Sequence, residues 1–235
     1  MFTASNFSEP GRASPRAAAF AGLIFSLLLI IGLVIVRLAA QGEEASADIW
    51  MSDPARRSTL LFAFNLIPFA GIAFLWFMGE LLNRLGARNN LFFATVFFGA
   101  GLLFVASLFA STAVAGGLAQ AIAAGRLRTP ESETYLLARR LSYTFLNVFA
   151  IKMAGAFTFI TCTIALRTGI LPRWVAFSGF ASGVVLLVAI TNWPWIALLF
   201  PLWMLQVSAC ILGAEFRGRN EEAARGSHFS RQQFR

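Results

Sequence analysis

Charged side chains are scarce in this chain of 235 residues, where they make up 13% of the total. A soluble domain carries about a quarter, roughly twice as much. Apolar residues take their place at 58%, including 25 Phe and 6 Trp, and they form runs of 18 residues or more. Such runs are typical of membrane-spanning helices, so the composition excludes a soluble enzyme and a disordered protein.

Residues that bind metals or form disulfides are also rare. The two Cys both lie inside apolar runs, and the single His, His228, lies close to the end of the chain. This excludes a disulfide framework, zinc sites built on His, and haem held by two His. No GxSxG, HExxH, CxxC or P-loop motif occurs, and no pair of carboxylates lies within one apolar run. We therefore expect no cofactor, no metal and no enzymatic activity.

The apolar runs predict an all-α integral membrane bundle of six transmembrane helices. Only helices satisfy their own backbone in hydrocarbon at this length, because the runs are too long for barrel strands. The six predicted spans are Ala17–Val36, Leu60–Leu82, Leu91–Ala124, Leu141–Leu166, Trp174–Ile190 and Trp193–Ala214.

The first run has an alternative interpretation as a signal peptide, since Ala45-Ser46-Ala47 is a plausible cleavage pattern. However, the run is about 20 residues long, whereas the apolar core of a signal peptide has about 7–15. We therefore interpret it as a retained span.

The third and fourth spans are predicted to form an extended hairpin. Thr129 can cap a helix that begins at Pro130, and the acidic residues of its first turn favour a helix N-terminus. If that helix continues to Leu166, it is about 55 Å long. The hydrocarbon core is only about 30 Å thick, so the hairpin would extend above the outer surface.

Arginines between the spans predict the orientation. With the N-terminus inside, 11 Arg lie on the cytoplasmic side and seven on the outer side, where six acidic residues accompany them. Both termini are therefore expected in the cytoplasm.

We divide the chain into a cytoplasmic segment 1–16, a transmembrane domain 17–215 and a basic, disordered tail 216–235. The net charge of +8 fits this topology, with anionic lipid at the tail, better than nucleic acid.

The loop between the fourth and fifth spans carries the one resemblance to known proteins. It reads Arg167-Thr168-Gly169-Ile170-Leu171-Pro172-Arg173. Gly169 can end one helix and Pro172 can start the next. The segment resembles a short loop of uncharacterised bacterial multi-pass membrane proteins that are classed as domains of unknown function. The resemblance covers spans four to five, and it implies a bacterial inner membrane and a cytoplasmic loop. It implies no activity and no site residues.

Lys152, the only Lys in the chain, lies near the middle of the fourth span. A charge at that depth costs about 2.5–3.5 kcal/mol on insertion scales, so it calls for a partner or a wet cavity. The spans offer it no carboxylate, since Glu80 is deeper and has Arg84 four residues away. Lys152 can therefore meet an acidic group of another subunit or a lipid, can be hydrogen-bonded within the chain, or can be deprotonated.

Three polar residues lie at comparable depths, Gln206, Asn65 and Asn147. Pro68 and Pro201 each free a backbone carbonyl nearby, and kinked helices with freed carbonyls are a recurring way to build a site at the membrane midplane. Together with Lys152, these residues define a hypothetical site for a ligand or a partner.

Small residues at four-residue spacing predict close helix packing. Gly179 and Gly183 form a GxxxG motif in the fifth span, which lets helix backbones approach in lipid. We favour packing within the bundle over a dedicated dimer interface.

The sequence is therefore compatible with two functions. The first is a non-catalytic accessory or assembly subunit of a membrane complex, which meets another membrane protein subunit through Lys152 or the hairpin. The alternative is a small carrier or channel with a midplane polar site around Lys152.

Overall fold

The structure is a computed structural model, and it describes residues 15–40, 53–84, 91–126, 132–188 and 195–232. All regular structure in these ranges is helical. The elements are listed here in chain order: α1 (Pro15–Ala40), α2 (Pro54–Arg84), α3 (Leu91–Ala123), α4 (Glu133–Thr168), α5 (Arg173–Val188) and α6 (Leu199–Gln232), which a 3-10 turn at Ile196–Leu198 precedes.

Five of the six helices are long and apolar enough to cross a membrane, as is typical of a membrane-embedded protein. The exception is α5, the predicted fifth span, which has 16 residues and a length of about 24 Å. This is shorter than a hydrocarbon core of about 30 Å. The prediction of six spans is thus confirmed for five helices and not for the fifth span, of which residues 189 and 190 lie outside the described residues.

The helices pack as a ring in which each contacts its neighbours in the chain and α6 returns to α1. Successive helices run antiparallel. For example, Gly22 of α1 lies against Phe77 of α2, whereas Gly32 lies against Ile67. The same opposed order joins α3 to α4, where Phe97 contacts Phe157 and Ser111 contacts Ser142. Short connections between helices favour this up-and-down arrangement.

Phenylalanines from five helices meet inside the ring. Phe74 has ring centroids of four others within 6 Å, and Phe97 extends the set with a distance of 4.7 Å to Phe157. We call this set the phenylalanine cluster. Its members are Phe25, Phe74, Phe97, Phe104, Phe157 and Phe200, all of them buried. Most pairs are tilted or edge-to-face, the geometry that aromatic rings prefer. The cluster therefore fills the interior at its level.

The turn between α4 and α5 follows the sequence prediction. Gly169 ends α4 with φ of 69°, a left-handed conformation that glycine adopts without a steric penalty. Its N–H donates to the carbonyl of Ala165, and Pro172 immediately precedes α5. Beside this turn, the guanidinium of Arg167 lies 4.6 Å from the centre of the Phe93 ring, which ties the end of α4 to the start of α3.

The start of α4 differs from its prediction. Ser132 is extended and its hydroxyl accepts a hydrogen bond from the Tyr135 N–H, so the helix begins at Glu133. The predicted start at Thr129 and Pro130 lies outside the described residues, but an extended Ser132 places the helix start after it. The helix begins after Ser132 because the hydroxyl of this serine caps the first turn.

Both helices of the predicted hairpin are longer than a hydrocarbon core. α3 has 33 residues and α4 has 36, or about 50 Å and 54 Å. A small separate cluster of Leu118, Ile122 and Tyr135 joins their far ends.

The C-terminal tail expected to be disordered from residue 216 continues α6 as a helix to Gln232. A helix already nucleated in the bundle extends at little cost through good helix formers, such as Glu221, Glu222, Ala223 and Ala224.

Replacing Phe74 by Ala is expected to destabilise the bundle by about 3 kcal/mol, because it removes a ring from the centre of the phenylalanine cluster and leaves a cavity. Thermal unfolding in detergent measures the change. Phe69→Ala is the matched control: Phe69 lies on the same helix but is 63% exposed, so we expect a change of about 0.5 kcal/mol or less. Equal effects of the two substitutions would contradict this assignment of the core.

Candidate functional site

The N-terminal half of α4 carries three polar side chains that contact neighbouring helices. A π-helical segment, Phe145–Ala150, interrupts α4 there. Such segments are rare in proteins as a whole, but those that occur are frequently found at functional sites. Ser142 before the segment, Asn147 within it and Lys152 after it each contact a different neighbouring helix. This region of α4 and its contacts form the candidate site.

Lys152 contacts the C-terminal end of α5. Its Nζ donates a hydrogen bond to the Leu187 carbonyl and lies 3.4 Å from the carbonyl oxygen of Leu186. α5 ends at Val188, so both carbonyls belong to the last turn, where carbonyls lack donors within the helix. The C-terminus of a helix also carries partial negative charge, which a cation stabilises. Lys152 is thus hydrogen-bonded within the chain, one of the alternatives that the sequence left open.

Asn147 is buried within the π-helical segment and connects α4 to α1. Its Oδ1 accepts a hydrogen bond from Arg37 Nη2 at 3.4 Å, and its Nδ2 donates to the Tyr143 carbonyl at 3.0 Å. Lys152 lies five residues further along α4, or about 7.5 Å below Asn147. The end of α5 is therefore recessed below the contact between α1 and α4.

One turn above Asn147, Ser111 and Ser142 join α3 to α4 reciprocally. The Ser111 hydroxyl donates to the Ser142 carbonyl at 2.8 Å, and the Ser142 hydroxyl donates to the Ser111 carbonyl at 3.0 Å. Hydrogen bonds of this kind hold helices together where hydrocarbon drives no association. The sequence alone does not predict this pairing, because it depends on which faces of the two helices meet.

Gln206 does not join Lys152. Its Oε1 accepts a hydrogen bond from the Ser178 hydroxyl at 3.2 Å, and Ser178 lies nine residues before Leu187 on α5. Gln206 is therefore about 13 Å nearer the other end of the bundle than Lys152. The depth expected from the sequence assumed that the last span begins at the membrane boundary. Phe200, near the start of α6, instead lies against Phe157, which is five residues further along α4 than Lys152.

Asn65 lies apart from both residues on the exposed face of α2. Its Nδ2 donates to the Leu61 carbonyl of the preceding turn at 2.7 Å, so its polar group is satisfied within its own helix. The four residues of the hypothetical midplane site thus make separate contacts, and the structure does not assemble them around one ligand.

The interior next to Ile151, the residue before Lys152, holds a narrow apolar cavity. A cavity of about 20 Å³ lies between α4 and the start of α6, lined by apolar side chains such as Leu146, Ala154, Leu186 and Phe200. This volume has room for about one water molecule. It does not accommodate a substrate.

Gly179 and Gly183 pack α5 against its neighbours. A Cβ at Gly179 would overlap Cys162 Sγ of α4 and Trp203 Nε1 of α6. A Cβ at Gly183 would lie 3.3 Å from the carbonyl oxygen of Gly155. Within this chain both glycines therefore face neighbouring helices, the arrangement that the sequence analysis favoured over a dimer interface.

Among the described residues, no group of three His, Cys, Asp or Glu side chains could hold a metal ion.

Comparisons of the chain with protein-family models, with curated proteins and with solved structures found no match.

Replacing Lys152 by Met is expected to destabilise the bundle by about 1–3 kcal/mol, because it leaves the carbonyls of the last α5 turn without this donor. Amide hydrogen exchange should then accelerate in residues 184–188, and the thermal midpoint should fall. Lys152→Arg keeps a cationic donor and should retain more of the stability than Met. An unchanged exchange rate in Lys152→Met would contradict the capping role.

Proposed function

We propose that this protein is a non-catalytic accessory or assembly subunit of a complex in a bacterial inner membrane. In this role it binds another membrane protein through the surface of the bundle that faces away from its interior. The phenylalanine cluster is the observation that carries the proposal. Buried rings from five helices occupy the interior at the level where a transport route would pass. We therefore place the function of the protein on its surfaces that face lipid and water, where a partner can bind.

The contacts of Lys152 support a structural role for that residue. Its ammonium group caps a helix that ends before the full thickness of the bilayer, and this offsets part of the cost of placing a charge there. In our proposal α5 is the fifth of six spans, both termini lie in the cytoplasm, and the far ends of α3 and α4 extend beyond the outer surface. The partner then binds elsewhere than at Lys152.

The carrier or channel alternative has less support. It needs polar side chains that converge on a hydrated cavity. Gln206 and Asn65 instead bond to Ser178 and Leu61, away from Lys152. The cavity next to Ile151 holds about one water molecule.

Native mass spectrometry of the protein, extracted gently from its own membrane, tests the proposal. We expect a partner protein at a fixed stoichiometry. Because Lys152 acts within the bundle, Lys152→Met should keep the partner under conditions where the variant is still folded. A chain that appears alone, or only with copies of itself, would overturn the proposal.

A further inference from the structure

An open groove runs along the outward face of α2, between α1 and α3. Trp76, Gly79 and Glu80 of α2 line it, with Ala17 of α1 on one side and Phe98 of α3 on the other. Phe98 also borders a second concave surface, formed on α3 around Thr95 and Gly99. Because Met78 contacts Gly101, the two surfaces lie at the same level of the bundle. We call the combined surface the α2–α3 groove.

The side chain of Glu80 places a hydrogen-bond acceptor without a donor in this apolar surface. Its Oε2 is buried and accepts no hydrogen bond from any residue that the structure describes. A buried carboxylate oxygen without a donor is costly, and a cation is the partner that offsets the cost best. The ion pair with Arg84 that the four-residue spacing suggested involves an Arg whose side chain lies outside the described residues.

The shape of the groove fits a helix. Gly79 and Gly99 both leave open space where a Cβ would point, whereas Gly179 and Gly183 are covered by helices of the bundle. Small residues on an outward face let a second helix approach closely, which a lipid chain does not require. Beside them Trp76 is 71% exposed, and a large ring of this kind is typical of an anchor at a protein interface.

From these observations we propose that the α2–α3 groove binds a transmembrane helix of a different protein, which places a Lys or Arg against Glu80. This inference rests on the proposed function and identifies the surface and the chemistry of the partner. A second copy of this chain fits less well. A two-fold axis through the groove would bring two Glu80 carboxylates together, and like charges at close range repel.

Photocrosslinking in native membranes tests the location. Trp76 is replaced by p-benzoylphenylalanine, and Phe177 on α5 is replaced in the same way as a control. Phe177 is 64% exposed and also lies near the α4–α5 turn end of the bundle, but on the far side of the ring. We expect a protein adduct at position 76 that is at least five-fold stronger than at position 177. The crosslinked peptide, sequenced by mass spectrometry, should come from an apolar helix with a Lys or Arg within two turns.

Variants then test the chemistry. Gly99→Leu fills the groove, so it should abolish the adduct at position 76 with the thermal midpoint unchanged. Gly117→Leu is the matched control, because Gly117 is also open but lies near the other end of α3. Glu80→Gln should weaken the adduct at least five-fold, and Glu80→Lys should be rescued by Glu at the partner's basic residue.

The outcomes separate this inference from the proposed function. A partner seen by native mass spectrometry that crosslinks at position 177, or that tolerates Gly99→Leu, would refute the groove and leave the accessory role standing. An adduct to lipid alone, or to a second copy of this chain, would also refute it. The absence of any partner in both experiments would overturn the accessory role itself.

Discussion

The packing of phenylalanine rings inside the ring of helices is the constraint on which the other features depend. Hydrocarbon offers helices no hydrophobic force toward one another, so shape complementarity and hydrogen bonds must hold them. The phenylalanine cluster supplies the shape, because one ring from each of α1, α2, α4 and α6 and two from α3 meet there. Among the described residues, ring centroids 4.7–5.2 Å apart leave little space between these side chains for a passage.

The polar contacts follow from the same geometry. The described part of α5 ends at Val188, and its last turn lies at the level of Lys152, below the contact between Asn147 and Arg37. A helix that ends at this depth presents carbonyls to an apolar environment, which is costly. Lys152 offsets that cost from the neighbouring helix, and Asn147 with Arg37 links α4 to α1 above the recess.

The sequence predicted most of the fold because each apolar run is too long for anything but a helix. It also located the α4–α5 turn from Gly169 and Pro172, and it singled out Lys152 as the residue that needs a partner. The partner itself could not be predicted, since it consists of backbone carbonyls whose exposure depends on where α5 ends. The depth of Gln206 was misjudged for the same reason.

The phenylalanine cluster was equally out of reach for sequence analysis. Helices in lipid are apolar on every face, so periodicity does not distinguish the rings that face inward from those that face outward. Phe69 and Phe74 lie five residues apart on α2, yet the first is exposed and the second is buried. The open glycines of the α2–α3 groove could not be told from Gly179 and Gly183 by spacing either, because only the packed structure shows which faces are covered.

Hydroxyl-radical footprinting of the protein in lipid tests most directly whether the interior is filled. Met78 and Met204 are both fully buried and would be oxidised by radicals formed in water that reaches the interior. Tyr143, which is 47% exposed, serves as the reference for an accessible side chain. The account predicts that Tyr143 is modified while both methionines stay intact in the folded protein. Oxidation of Met78 and Met204 at a rate similar to that of Tyr143 would contradict it and point to a hydrated route through the bundle.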